Sequence, residues 1–376
     1  MMDVTFLRSL GLIVVTAALC ALGARVVKMP AIVAYLFAGL LLGPITGWVE
    51  FTDTLDHVSE AGIALLLFVV GLELSFDKIR DLGRVAVLAG LGQIIFTAIG
   101  GFIFCWAVGF SVMDATFLST ALTFSSTVVV VKLLDDKKEL DSLYGRIAIS
   151  IFLMQDVVVI LILTMLAGLG GSGGQADAAT MARGLGMAFG GMGALAVAVL
   201  LAARFVLPRP FRWAARSPEM MFIWSLCWCF LIVLLAEYLH LSLEVGAFLA
   251  GISLAQLPYN HDLRRRVHPL MSFFIAVFLV SLGIKMDLGA AVEHWPTVTL
   301  LSLFVLIGDP IIFMWIIARM GYGEKTSFLS AVSLAQMSEF SFILVAAAAS
   351  ANLIGGQLLS IVALVGLVTI SVSAFM

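Results

Sequence analysis

Apolar residues fill this chain in long runs, and short polar or Gly- and Pro-bearing joints separate them. A helix crosses a bilayer in about 20 apolar residues. Runs of that order fall near residues 6–24, 30–46, 58–76, 84–108, 113–133, 143–169 and 180–206. Six more follow near 218–239, 241–257, 267–286, 297–319, 325–350 and 356–376. The pattern predicts an all-α polytopic membrane protein of about thirteen transmembrane helices, numbered here as spans 1 to 13.

Charge orients the spans. With the N-terminus outside, the odd-numbered joints carry all but Arg8, Arg183 and Lys285 of the 21 basic residues, so 18 lie on one face. Basic residues mark the cytoplasmic side, which places the C-terminus in the cytoplasm and suggests a bacterial inner (plasma) membrane. The acidic joint Glu50–Glu60 then faces out. The first run lacks a basic leader and a small-residue cleavage site and reads as a retained helix. The last run reaches Met376 without a tail. The chain therefore reads as the membrane part of something longer, with room for a cytoplasmic regulatory domain after it.

Composition narrows the chemistry. The chain is 62% hydrophobic, 12% charged and carries a net charge of −3, with no basic tract for nucleic acid. Its four cysteines lack C-x-x-C spacing, so no zinc site or disulfide framework is indicated, and no cofactor is expected.

One residue breaks the apolar pattern. Asp156 follows Gln155 inside the run Ile151–Leu163 and has no basic neighbour within a turn or two along the chain. A charge at bilayer depth costs roughly 3 kcal/mol on insertion scales, so such residues face a cavity or a partner. Asp156 is either an ion or proton site or a structural acid bonded to a neighbouring helix.

The chain also repeats itself. At an offset of 212 residues, Ala34–Gly43 falls on Gly246–Ala255 and Gly71–Phe76 on Gly283–Leu288. Spans 1–6 then correspond to 8–13, and the odd span 7 inverts the second copy. Inverted repeats mark secondary transporters with a site at the midplane. The same offset pairs span 5 with span 12. Span 5 carries Thr123, Ser125, Ser126 and Thr127 before four valines, a weak helix former. Either the hydroxyls bond back to carbonyls one turn earlier, or the helix unwinds and its oxygens hold a cation beside Asp156.

The ordered segments Pro30–Pro44, Leu65–Phe76, Thr123–Leu134, Gln155-Asp156, Gly246–Ala255 and Ser338–Leu344 resemble the cation/proton antiporter-2 family, nearest its Kef-type potassium/proton members. The resemblance covers the whole chain. It implies a homodimer with a scaffold (residues 1–82 and 213–290), a moving core (83–170 and 297–376) and a linker helix (180–206). It also implies that spans 5 and 12 are crossed, broken helices and that Asp156 is the essential acid. A Gln-Asp pair resembles potassium exchangers; Asn-Asp or Asp-Asp resembles sodium ones. The chain departs from the Kef pattern at three points. Met337-Ser338-Glu339 stands where Gly-Gly-Glu is usual, Gly308-Asp309-Pro310 where a lysine is usual, and no nucleotide-binding domain is present.

The resulting expectation is a transporter, not an enzyme: a secondary antiporter exchanging a monovalent cation, K+ favoured and Na+ the other candidate, for H+ by elevator-type alternating access. Asp156 carries cation and proton in turn, with Thr127 and Ser126 as ligands of the alkali cation. Gln155, Ser125, Asp309 and Glu339 complete the candidate site. Gln155 cannot ionise, so exchange is expected to be electroneutral unless Asp309 or Glu339 supplies a second titrating group. Two alternatives share the architecture, an organic-anion/Na+ symporter and a gated cation channel. A lone acid without a basic partner argues against an anionic substrate. Glu73 and Lys285 read as structural residues at span ends. Gly39 and Gly43 permit close packing, either at a dimer contact or within the chain.

Overall fold

The computed structural model describes residues 2–27, 29–73, 83–126, 130, 134, 139, 142–170, 178–215, 217–239, 241–287, 289, 293–373 and 375. Among these residues the fold is all-α, with a single isolated β-bridge in place of any strand. In chain order the helices are α1 (Met2–Val26), α2 (Ala31–Leu40), α3 (Asp53–Glu73), α4 (Gly83–Val108) and α5 (Val112–Leu122). They continue with α6 (Leu143–Gly170), α7 (Ala178–Phe205), α8 (Pro208–Ala214), α9 (Pro218–Tyr238), α10 (Leu243–Ala255) and α11 (Asn260–Lys285). The last five are α12 (Trp295–Leu303), α13 (Asp309–Arg319), α14 (Glu324–Ser333), α15 (Glu339–Ser350) and α16 (Gly356–Ser373).

Eight stretches among the described residues are long and apolar enough to cross a membrane, and the bent pair α7–α8 makes a ninth candidate. The protein is an integral membrane protein. The thirteen expected spans exceed this count because four apolar helices are short, at Ala31–Ile45, Val112–Leu122, Leu243–Ala255 and Glu339–Ser350. Spans 5 and 12 lose length because their helices stop midway. Large apolar side chains such as Leu19, Leu22 and Trp106 lie on the surface, as lipid-facing residues do where the solvent is hydrocarbon.

Local chemistry sets the ends. Ser111 caps α5 by accepting from the Asp114 N–H at 3.1 Å, and its hydroxyl donates to the Asp114 carboxylate at 2.8 Å. Ser242 and Ser338 cap α10 and α15. Proline shapes two spans. α2 passes into a π-turn at Leu41–Ile45 around Pro44, and α12 reaches α13 through a π-turn at Phe304–Gly308, just before Pro310. Pro310 has no N–H for the carbonyl one turn earlier. The wider turn absorbs that gap, with the Asp309 N–H bonded to the Phe304 carbonyl.

The chain divides into two compact units. One comprises Met1–Asp53, Leu82–Val159 and Leu279–Met376, and the other Thr54–Asp81 and Ile160–Phe278. In the first, α4 packs on α5 and α13, α5 on α15, and α16 on α2, α12 and α15. In the second, α10 packs on α7 and α9.

Each unit contains one glycine-to-glycine contact. A Cβ on Gly39 would strike the Val280 carbonyl and stand 2.7 Å from the Gly283 Cα. A Cβ on Gly251 would strike the Phe68 carbonyl and stand 2.9 Å from the Gly71 Cα. Gly43 likewise lies against the Ile284 backbone. Gly39 and Gly43 thus serve packing within the chain. The Cβ of an alanine at Gly39 or Gly251 meets main chain, which cannot rotate away. Each substitution is expected to destabilise by about 1–3 kcal/mol, read as a lower thermal midpoint of the purified protein. Unchanged midpoints would show that the backbones can part.

Candidate functional site

The site grows from two interrupted helices. α5 ends at Leu122 and Thr123–Ser126 leave helical geometry; α14 ends at Ser333 and the chain stays irregular until Glu339. Where the breaks meet, Ser125 and Met337 form an antiparallel bridge. Neither break contains Gly or Pro, so backbone preference does not explain them. Tertiary partners do. A break at membrane depth frees carbonyls and N–H groups that hydrocarbon cannot satisfy.

Here each freed group named below meets a side chain. Ser341 Oγ donates to the Ala121 carbonyl at 2.6 Å, and Ser125 Oγ to the Leu334 carbonyl at 2.8 Å. The Met337 N–H donates to Thr369 Oγ1 at 3.4 Å. Ser373 Oγ donates to Gln336 Oε1. Across the second break, Ser126 Oγ donates to Glu339 Oε2 at 3.0 Å. Glu339 opens α15, where the positive end of a helix dipole favours a carboxylate.

Gln155, on α6, clamps the break in span 5. Its Oε1 accepts from the Ser125 N–H at 3.0 Å and its Nε2 donates to the Thr123 carbonyl at 3.0 Å. The same Nε2 donates to Gln93 Oε1 at 2.8 Å. In the structure the Gln155 amide bonds the backbone and Gln93. The carbonyls of Ala121 and Thr123 are likewise hydrogen-bonded. Asp156, the next residue on α6, is 2% exposed.

Asp309 is also buried, and it accepts from Thr97 Oγ1 at 3.0 Å. Thr97 in turn accepts from Gln93 Nε2 at 3.1 Å, and Gln93 Nε2 also reaches the Thr123 carbonyl at 3.1 Å. Asp309 is therefore linked to Gln155 through two side chains of α4. Neither Gln93 nor Thr97 stood out in the sequence, although two polar residues four apart on an apolar helix share one face. That spacing was the available signal.

The structure links Ser125, Gln155 and Asp309 through one hydrogen-bonded chain and pairs Ser126 with Glu339, while Thr127 lies outside the described residues. Two of its pairs have a common separation. Ser125 and Met337 differ by 337 − 125 = 212 positions, and Thr97 and Asp309 by 309 − 97 = 212. The glycine contacts obey the same rule crosswise, since 39 + 212 = 251 and 71 + 212 = 283.

Asp156, Asp309 and Glu339 are buried acids of this unit, and no Lys or Arg is buried among the described residues. No group of three or more His, Cys, Asp or Glu among them is arranged to hold a metal ion. Lys285 sits at the end of α11 with its ammonium 4.0 Å from the centre of the Phe51 ring. The side chain of Glu73 is outside the described set. Cys20, Cys105, Cys227 and Cys229 are free thiols.

Known proteins share this architecture. The sodium proton antiporter MjNhaP1 from Methanocaldococcus jannaschii superposes with a TM-score of 0.73 at 14% identity, over 100% of this chain and 96% of that one. K(+) efflux antiporter 4 of Arabidopsis thaliana is 29% identical over 362 residues, 95% of this chain and 61% of the relative. The glutathione-regulated potassium-efflux system protein KefC of Salmonella newport (strain SL254) is 33% identical over 334 residues, 86% of this chain and 52% of the relative. The chain thus spans between about half and two thirds of the length of these curated relatives, and the Kef-type resemblance read from the sequence is borne out. The family model for the transmembrane sodium/hydrogen exchanger matches residues 12–376, and the chain belongs to that family.

Proposed function

We propose that the protein is a secondary antiporter that exchanges a monovalent cation for H+, with K+ favoured. One observation carries the reading: buried carboxylates stand beside two interrupted spans, and no buried Lys or Arg accompanies them among the described residues. Such a site suits a cation and a proton and repels an anion, which disfavours the organic-anion symporter. The curated relatives named as K+ efflux antiporters support potassium.

Asp156 is the residue that alternates between the two ions, with the hydroxyls of Thr127 and Ser126 as ligands of the cation. The two breaks make an inverted repeat the economical arrangement. Under a two-fold axis in the membrane plane, a residue on the axis touches its own equivalent, and Ser125–Met337 and Thr97–Asp309 have that relation. A core of spans 4–6 and 11–13 then moves against a scaffold of spans 1–3 and 8–10. Only a loaded or protonated Asp156 crosses. The working form is a homodimer in the inner membrane, N-terminus outside and C-terminus cytoplasmic.

The test is dissipation of an imposed pH gradient in proteoliposomes by K+, Na+, Li+ and choline. K+ is expected to collapse the gradient fastest, choline not at all, with no sustained current on a solid-supported membrane. A gradient indifferent to every alkali cation would overturn the reading. A large passive current would favour a channel.

A further inference from the structure

We propose that Gln93, Thr97 and Asp309 form an orienting chain that sets the Gln155 amide and so holds the shape of the break bordering the cation site. The inference rests on the antiporter reading above. These are positioning residues; none needs to touch the transported ion.

The direction of the hydrogen bonds makes the case. The Thr123 carbonyl receives both Gln93 Nε2 and Gln155 Nε2, at 3.1 and 3.0 Å. A carbonyl accepts only donors, so both amides must turn their nitrogens toward it. The Ser125 N–H requires an oxygen from Gln155, which the same orientation supplies. Gln93 Oε1 is then taken by Gln155, and its remaining N–H goes to Thr97 Oγ1. A hydroxyl has one proton, and that of Thr97 goes to Asp309 Oδ1. Donation therefore runs one way, from the Ser125 backbone through Gln155, Gln93 and Thr97 to a carboxylate.

Every member is buried: Gln93 and Thr97 are fully enclosed, and Gln155 and Asp309 are 1% and 2% exposed. A buried polar group that loses its partner carries the full desolvation penalty. Polar chains of this kind polarise one another, and one half-satisfied member loosens the rest. Asp309 stands at the terminus, where its Oδ1 accepts the Thr97 proton.

Removing the Thr97 hydroxyl cuts the chain without changing its length. Gln93 then loses the acceptor for one N–H, and its amide is free to rotate away from Thr123 and take Gln155 with it. Thr97→Val is expected to raise the half-saturating K+ concentration about tenfold while the maximum rate stays within about twofold. Thr97→Ser, which keeps the hydroxyl, restores the wild-type value. Thr97→Cys keeps the size with a weaker donor and falls between Ser and Val, which retains a reading should the valine variant not fold. Gln93→Leu repeats the loss, and the double variant adds little to it, because both cut one chain.

The measurement is K+-dependent proton flux in proteoliposomes, with K+-induced thermal stabilisation of the detergent-solubilised protein as a second readout. A wild-type protein that exchanges while Thr97→Val keeps its affinity overturns the orienting chain alone. So does full additivity of Thr97→Val and Gln93→Leu. A wild-type protein that exchanges no cation overturns the antiporter reading, and the role of the chain falls with it.

Discussion

Replacing Asp156 with Asn is expected to reduce K+-dependent proton flux to that of empty liposomes, while the protein stays folded. Asn keeps the shape and a carbonyl oxygen at this 2%-exposed position but can neither ionise nor release a proton. An exchanger needs one group that holds either ion and never travels empty. A neutral amide removes the alternation itself. Stability runs the other way. A charge at bilayer depth costs roughly 3 kcal/mol on insertion scales, so the variant should unfold at the same temperature as wild type or higher. The two readouts together separate transport from folding. Retention of half the wild-type flux would move the transport role to Asp309 or Glu339; loss of folded protein would make Asp156 structural.

The second large effect belongs to Gln155. Gln155→Leu takes the acceptor from the Ser125 N–H and the donor from Gln93 Oε1, both in the buried network. A buried polar group without a partner costs about 1–3 kcal/mol, so two such groups lower stability by roughly 2–6 kcal/mol by the same rule. The Thr123 carbonyl keeps Gln93 as a donor and is not orphaned. The expected result is a lower thermal midpoint together with weak transport. If Gln155 were a cation ligand instead, the leucine variant would lose affinity with its midpoint unmoved. Thermal unfolding of wild type and variant, with and without K+, distinguishes the clamp from the ligand.

These two residues are neighbours, yet only one stood out as a candidate in the sequence. Asp156 was legible because a carboxylate inside an apolar run has few physical explanations. Gln155 was legible as polar and buried, but its partner was not. An amide bonds equally well to an ion, a backbone or another amide, so identity does not choose among them. The break in span 5 chose, by offering one N–H and one carbonyl at the spacing of a side-chain amide. Thr123 to Ser126 suggested such a break without requiring it, because hydroxyls also fit an intact helix by bonding one turn back.

What the chain determined by itself follows from short-range physics. Run length and hydropathy make it an α-helical membrane protein, charge bias suggests a face for each joint, and the 212-residue offset suggests a pairing of its halves. Pro44 and Pro310 required a local accommodation, since each lacks an N–H. The tertiary structure alone decided that the accommodation is a π-turn, that Gly39 meets Gly283 and Gly71 meets Gly251, and that Gln93 and Thr97 bridge Gln155 and Asp309. The reason is common to all three. A buried polar or backbone group is satisfied by whatever lies opposite it, and what lies opposite is set by residues far away in the chain. Thr97 and Asp309 are 212 residues apart, and no local pattern in either segment specifies the other.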